Sequence, residues 1–562
     1  MRARDETTPG ILVPHLGYGA GAAKAVIAVV PEGPLTAELV GPGEPAVLTP
    51  GPVEHVPGWT GGPYSRIPLP ETLAPGTYFV RVSAAGHELT SEPFVIAPER
   101  LQRQTMSDVL AYFKAMRSSG EIDRKDRAAR RWGDDSGTTV DARGGWLDAS
   151  GDTSKFLSHL TYTSTMSPQQ IPLCAWAMLA ARDQLGPALT KVLGARLRDE
   201  ALWGADFLVR FRSPDGYFYT GIFDALTKQL DERVITAPLQ DCVRTSRYQA
   251  AYRQGGGLAI AALARASTVD DDGDFARAEY LTAAREAFAH LEKHNLDYLF
   301  DHTESIIDDY TALLAATELA AADGASQPVA AARTRAASLT SRYVRPTNEP
   351  GWFRADEQNR PFFHAAEPGL PILALLRFAE VLPDTPEADP ARRTALQAMH
   401  DILTRTASVQ NPFGYPRTLV QPTNDKPRES FFFPHANETG YWWQGENAAI
   451  ASLAAAANAC ARIAETGASE LRAFADDQLA WITGRNPFDT SMLHGRGRNN
   501  ADYSSDFPNL PGGILNGITA GWSDENDIAF LPDDAPEGDS WRWAEQWIPH
   551  TGWFLLAVAS AR

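Results

Sequence analysis

Residues 448–461 read AAIASLAAAANACA. Read as a helix, this run has small apolar side chains on every side and no polar face. It must therefore be surrounded by other helices, because a surface helix carries one apolar stripe and one wet face. Its neighbours follow the same period. In 189–212, Val192, Leu193, Leu197, Ala201, Gly204, Phe207, Leu208 and Phe211 recur at i, i+3, i+4 spacing along one face. From Leu101 onward the pattern predicts helices over 103–117, 170–186, 189–212, 250–268, 274–296, 307–323, 329–343, 370–381, 391–408, 445–464, 468–482 and 543–561. A dozen helices without a fixed-period repeat predict a closed ring of helical hairpins, a mainly α (α/α)6 barrel, rather than a solenoid.

Upstream the texture changes. Short β-rich runs (Ala25–Val30, Thr36–Val40, Gly76–Ala84, Glu92–Ala97) alternate with Gly/Pro turns, and Thr77–Val82 alternates with period two. This predicts a small β-sandwich over 1–97, followed by the helical domain over 98–562. Such a two-domain reading suits 562 residues, more than one ordinary core supports.

Seventy acidic against fifty-one basic residues give a net charge of −19, a field that repels nucleic acid and favours a neutral substrate. No apolar run reaches the ~18 residues of a membrane span. The N-terminal MRARDETTPGILVPHLGYG lacks a continuous apolar core and a small-residue cleavage site, so a cytoplasmic location is expected. The three widely spaced cysteines, Cys174, Cys242 and Cys460, read as buried free thiols rather than a disulfide framework or a metal knuckle.

Long aromatic, Gly/Pro-rich loops separate the helices at 118–165, 213–246, 344–369, 409–444 and 484–542. Loops of that length in a compact domain are usually functional. Within Gly144–Asp152 (GGWLDASGD), Asp148 and Asp152 lie four residues apart beside Trp146. Two carboxylates can jointly hold and deprotonate a water, and a Trp face stacks on a sugar ring. The competing reading is an Asx turn capping the next helix; on spacing alone both stand. Glu545, among Trp541, Trp543 and Trp547, is expected to have its charged form desolvated, as a general acid requires. Its competitor is a glutamate favoured by a helix N-terminus.

Together these motifs resemble glycoside hydrolase family 9, the inverting cellulase-type family. Val140–Asp152 is similar to its Gly-Trp-Asp loop, Thr483–Pro487 to its "GRNP" segment, and Pro511–Gly517 to a later Gly-rich loop. Glu545 followed by Gly552–Ala557 resembles the segment that carries the family's proton donor, and His15–Tyr18 with Lys24-Ala25 resembles the opening of a preceding immunoglobulin-like domain. The resemblance implies Asp152 as base, Asp148 sharing its water, and Glu545 as acid. The aspartate pair is one residue longer here than the family's usual spacing. Where cellulases of the family carry paired histidines, this chain has His494 and Arg496, which read either as sugar-hydroxyl ligands or as residues of a surface loop. The stretch His435–Asn447 departs from the cellulase pattern, and Trp442, Trp443 and Glu446 (or Glu438) are expected to recognise a terminal sugar. Trp146 and Trp543 are expected to contact substrate as well.

The implied activity is inverting hydrolysis of β-linked gluco-configured oligosaccharides, exo-acting on short substrates. An exo-β-glucosaminidase and an endo-β-1,4-glucanase are the enzymatic alternatives. A catalytically inactive carbohydrate-binding protein is the non-enzymatic one, and the retained carboxylates speak against it. A polysaccharide lyase would call for a basic groove. No cofactor is required by this chemistry, a structural calcium ion is compatible with it, and no metal ligands are assigned. An oligosaccharide is the one expected partner, with neither nucleic acid nor membrane.

Overall fold

The computed structural model describes residues 8–440 and 443–561. Among the described residues, nine strands precede the first helix: β1 (Gly10–Leu12), β2 (Tyr18–Gly19), β3 (Ala25–Val29), β4 (Leu35–Val40), β5 (Ala46–Leu48), β6 (Tyr64–Pro68), β7 (Gly76–Ala84), β8 (His87–Thr90) and β9 (Phe94–Ala97). One sheet has the order β1-β3-β6; the other runs β2-β9-β7-β4-β5, with β8 also on β7. Along β7, Tyr78, Val80, Val82 and Ala84 point inward while the intervening residues are wetter, which realises the period-two pattern. All of β3 is buried. Its Val26 and Ala28 join Val80, Val82 and Ile96 between the sheets. Its Ile27 and Val29 belong instead to the core shared with the helices. A strand covered on both faces has no reason to alternate, and AVIAV does not.

Among the described residues, twelve helices of ten or more residues follow: α1 (Arg100–Met116), α2 (Ile171–Gln184), α3 (Pro187–Arg210), α4 (Gly257–Ala266), α5 (Arg277–Tyr298), α6 (Ile306–Asp323), α7 (Ser326–Ser341), α8 (Leu370–Val381), α9 (Ala388–Thr406), α10 (Asn447–Ile463), α11 (Ala468–Ile482) and α12 (Ile548–Ser560). The even-numbered helices pack in closed succession, α2 on α4, α4 on α6, and so round to α12 on α2. Each odd-numbered helix packs outside, on a neighbouring member of that ring. The inner position explains the composition: α10 is buried from Asn447 through Ala461, and α12 along its whole length. Outer helices bury one stripe only. In α3, Leu193, Leu197, Ala201, Phe207 and Leu208 are buried, but Val192, expected on that face, is 65% exposed. Prolines in the first turn start α2, α3, α8 and α12, where the missing N–H is not needed. Segment 250–268 becomes α-helix only at Gly257, after a wider turn over Tyr252–Gly256.

The β-rich part is fixed to the helical part by buried polar bonds and an aromatic cluster. Arg485, 1% exposed, pairs with Asp477 and donates to the Ala25 carbonyl at 2.9 Å, while Arg66 reaches the same Asp477 at 2.9 Å. Trp59 inserts among Phe413, Phe431, Phe432 and Trp481. Gly484 sits at φ +117°, where a Cβ would meet the His15 ring at 2.4 Å. The Thr483–Pro487 motif therefore serves this junction.

Among the described residues no helix is long and apolar enough to cross a membrane, and no group of three or more His, Cys, Asp or Glu is arranged to hold a metal ion. All three cysteines are free; Cys174 and Cys460 are buried, but Cys242 is only partly so.

Candidate active site

Because the inner helices share one direction, the loops before their N-termini gather at one end of the ring. The loop before α2 carries Asp148 and Asp152, and the one before α12 carries Glu545. Short strands that the sequence pattern did not reveal brace the first of these. Lys155–Phe156 pairs with Gly221–Phe223 at the edge of a five-stranded sheet. Lys155 is fully buried, bonds Asp126 at 2.7 Å and donates to the carbonyls of Ala142 and Gly144. Arg233 completes this group, pairing with Asp126 at 2.8 Å and donating to the Thr153 carbonyl. Gly151, at φ +62°, lets Phe507 approach; a Cβ there would lie 2.7 Å from its Cα.

The two loops are laced together. Ala149 and Trp547 form a β-bridge, Ser150 and Gln546 exchange bonds of 2.9 and 2.8 Å, and the Ile548 N–H donates to the Asp148 carbonyl. This brings Asp148, Asp152 and Glu545 to the wall of one pocket of about 460 Å³. Asp148 is 5% exposed, while Asp152 and Glu545 keep more accessible surface. Oδ1 of Asp148 accepts from the Trp547 indole at 2.8 Å and from the Gln170 amide. Oδ1 of Asp152 accepts from the backbone N–H groups of Thr153 and Ser154, at 2.5 and 2.9 Å. Oδ2 of each aspartate has no protein partner among the described residues. The Asn516 amide donates to Glu545 Oε2 at 3.4 Å.

Burial raises all three carboxyls above their ordinary range. Glu545 goes well above it, through desolvation first and then the negative charges of Asp148 and Asp152. Asp148 also goes well above, through desolvation and the charge of Asp152, against the bonds from Trp547 and Gln170. Asp152 is raised by desolvation and by Asp224, with the two backbone N–H groups opposing. Three carboxylates so close cannot all ionise, and the fixed backbone dipoles favour the charge on Asp152.

The rest of the wall comes from Phe156, His159, Leu160 and Tyr162, from Phe223 and Leu226, from Pro238–Cys242, and from Gln444, Tyr503, Phe507, Trp541 and Trp547. Residues 224–245 supply one side of the wall, through Leu226 and Pro238–Cys242. At one end Lys228 donates to the Asp506 carbonyl, with its ammonium 3.6 Å from the Phe507 ring centroid. Farther along, Gln240 packs on Gly440. Leu226, Asp241 and Cys242, all on the wall, hold left-handed backbone conformations, as strained residues at ligand sites often do. Among the described residues no Lys or Arg lines the pocket, and Asp241 adds a fourth carboxylate. Burial lowers His159 to about 4, so its ring is neutral.

Several residues expected at the sugar lie elsewhere. Trp146 is fully buried, donates to Glu200 at 2.8 Å and packs edge-on to Phe113; it anchors the loop and offers no face to a ligand. Trp443 is stacked on His435 at 4.1 Å beneath the Arg542 guanidinium. Glu446 bonds the Phe433 N–H at 2.8 Å in a small separate cavity, where burial pushes it to about 8. Glu438 caps Ser164 and Thr165 and pairs with Arg360. His494 faces Asp502 at 3.2 Å, and the exposed Arg496 pairs with Asp108; neither reaches the pocket. Trp543, also fully buried, borders a neighbouring cavity. Trp442 lies outside the described residues. Sequence reasoning missed His159, Asp241, Gln444 and Tyr503 as wall residues, although all four lie in the long loops marked as functional and Gln444 lies within the His435–Asn447 stretch.

Comparison with known proteins bears on the family and the fold. The family model described as glycosyl hydrolase family 9 matches residues 103–505. Among solved structures, a metagenome-derived family 9 endoglucanase superposes with a TM-score of 0.66 at 16% identity, covering 99% of each chain. A Bacteroides ovatus family 9 protein gives 0.63 at 16%, covering 98% of each. A single-mutant thermostable endoglucanase from Alicyclobacillus acidocaldarius gives 0.64 at 16%, covering 98% of this chain and 99% of its own. No curated protein matches the chain. The family match extends over most of the helical part and includes the Asp148–Asp152 loop, and on it the chain belongs to glycosyl hydrolase family 9.

Proposed function

We propose that this glycosyl hydrolase inverts the anomeric centre of β-linked gluco-configured oligosaccharides, removing a terminal sugar from short chains. In this reading the closed helical ring is an (α/α)6 barrel over 98–562, and the two sheets of 1–97 are an immunoglobulin-like domain. The observation that carries it is the meeting of Asp148, Asp152 and Glu545 in one walled pocket.

The protonation states fit the roles. Glu545, held neutral by its surroundings, gives its proton to the glycosidic oxygen as the C–O bond breaks. A water held between Asp152 and Asp148 forms the new bond to the anomeric carbon from the opposite face, and its proton passes to Asp152. The products are the released alcohol and a sugar of inverted configuration. Such a displacement requires the acid and base to stand about 6.5–9.5 Å apart, leaving room for the water. On the pocket wall, His159 Nδ1 and Gln444 Nε2 are buried polar atoms with no hydrogen-bond partner among the described residues, and they suit a ligand rich in hydroxyl groups.

Exo action is supported by the wall that residues 224–245 add to the pocket, joined to neighbouring loops where Lys228 meets Phe507 and Gln240 meets Gly440. The family 9 neighbours described as endoglucanases supply the β-glucan class. Product analysis on a β-1,4-linked hexasaccharide tests this: one sugar at a time is expected, and internal products with rapid viscosity loss on soluble cellulose derivatives would contradict it.

A second reading is favoured by the charge of the wall. Four carboxylates and no cationic side chain among the described lining residues suit a terminal sugar bearing an ammonium group, with Asp241 rather than Glu446 or Glu438 as its counter-ion. Comparing the β-1,4-linked glucosamine disaccharide with cellobiose separates the two.

A further inference from the structure

We propose that Asp224 is a positioning residue for the base: through the hydroxyls of Thr153 and Ser154 it fixes the two backbone N–H groups that hold the Asp152 carboxyl. This deepens the hydrolase reading above and rests on it.

Lys155 pairs with Ile222 and Phe156 with Gly221 in an antiparallel ladder. Continued two places past Lys155, that register sets Thr153 opposite Asp224, and the side chains meet there. Thr153 Oγ1 donates to Asp224 Oδ2, and Ser154 Oγ donates to Asp224 Oδ1 at 3.4 Å. The N–H groups of the same two residues donate to Asp152 Oδ1 at 2.5 and 2.9 Å. Thr153 and Ser154 thus hold Asp152 by their backbone and Asp224 by their side chains. The Thr153 carbonyl accepts in turn from Arg233, so this residue is fixed on three sides.

Asp224 is fully buried and is not among the residues that line the pocket, so it acts through Thr153 and Ser154. Its donors among the described residues are the two hydroxyls and the Leu226 N–H at 3.0 Å, with no Lys or Arg. An Asx turn at 224–226 accounts for the Leu226 bond alone. It leaves unexplained why both hydroxyls beside the base turn to one carboxyl, and why that carboxyl is buried without a cation, which costs stability. Precise aiming of a reacting group calls for such a supporting layer. The charge of Asp224 also acts on Asp152, adding to the upward push of burial. The other ionisable groups that face Asp152 are Asp148 and Glu545 in the pocket, Tyr503, and Cys242, which feels Asp152 and Asp224 alike. Asp241 stands on the same wall.

Two variants separate the bond from the charge. Thr153→Val keeps the shape of a partly buried side chain and removes its hydroxyl. Asp224→Asn keeps groups that can bond Thr153, Ser154 and Leu226, and removes the charge. Both are assayed across pH on cellobiose or the β-1,4-linked glucosamine disaccharide, whichever the wild type hydrolyses. In Thr153→Val, kcat is expected to fall about tenfold with KM little changed, less than the ~100-fold that a 1 Å misplacement costs. In Asp224→Asn, the acid limb of kcat/KM is expected to move to lower pH, because a negative neighbour of Asp152 is gone. A residue that only shapes the turn would leave that limb in place. An unchanged kcat in Thr153→Val, a loss carried by KM, or an unmoved acid limb in Asp224→Asn overturns the proposal. If Asp224→Asn does not fold, Thr153→Val decides alone. Asp152→Asn is measured beside them. Full activity there contradicts the base assignment, and the proposal goes with it; an inactive Asp152→Asn with both other variants unchanged overturns this proposal only.

Discussion

The indole N–H of Trp547 donates to Oδ1 of Asp148 across 2.8 Å, although 399 positions separate them in sequence. This bond ties the loop before the first inner helix to the loop before the last. It also sets the direction of the Asp148 carboxyl and favours its charged form. Trp547→Phe keeps the ring and removes the donor. Turnover is expected to fall about tenfold, in line with the ~1.4 kcal/mol that separates decades in rate, with KM little changed. An unchanged kcat would show that the bond does not position the water.

Glu545→Gln is expected to lower kcat on disaccharides by about 10²–10⁴, the usual worth of a positioned proton donor. Glycosyl fluorides, whose leaving group needs no proton, should be partly spared. The pH profile follows from the raised carboxyls. Activity requires Asp152 ionised, so the acid limb lies above the ordinary carboxylate range. It also requires Glu545 protonated, so the alkaline limb lies well above that range and should disappear in Glu545→Gln. A profile measured from pH 4 to 10 on both proteins checks this; an alkaline limb that persists in the variant would contradict the assignment.

Glu446, away from the pocket, offers a test of the electrostatics through stability. Burial raises it from 4.5 to about 8. Between those values the folded protein binds more protons than the unfolded chain, so stability falls as pH rises and levels off above about 8. The slope from this group is about 1.4 kcal/mol per pH unit. Glu446→Gln should remove it, so the variant gains on the wild type in urea melts between pH 5 and 8. Parallel stability curves would count against a neutral, buried Glu446.

Trp59 joins the β-rich part to Phe413, Phe431, Phe432 and Trp481. Trp59→Ala should cost about 3–5 kcal/mol, the usual loss for a buried aromatic. The expectation is a lower thermal midpoint with fluoride turnover at 25 °C retained. A midpoint within 1 °C of wild type would mean that the junction contributes little.

Legibility in the sequence followed the physics of each element. The alanine-rich run of α10 has no polar face, and it lies in the inner ring. The alternation of Thr77–Val82 appears as β7. The carboxyl cluster was legible because glycines and tryptophans surround it. What failed was inference from residue type to exposure. Trp146 was read as a stacking surface, yet a glycine-flanked indole can equally be drawn inward when a buried acceptor such as Glu200 awaits it. Trp443 and Glu446 adjoin Gln444 in sequence, but only Gln444 reaches the pocket. The place of residues 224–245 on the wall was not legible because it depends on contacts such as Lys228 with Phe507, between loops 279 positions apart, that no local pattern encodes.

The configuration of the first product decides the central claim. With a β-linked disaccharide, proton NMR in the first minutes, before mutarotation, resolves the anomeric signals of the released sugar. The account predicts that the sugar freed at its anomeric carbon appears as the α-anomer and relaxes afterwards. A first-formed β-anomer would mean retention through a covalent intermediate. That outcome would contradict a water held by Asp152 and Asp148 as the attacking group.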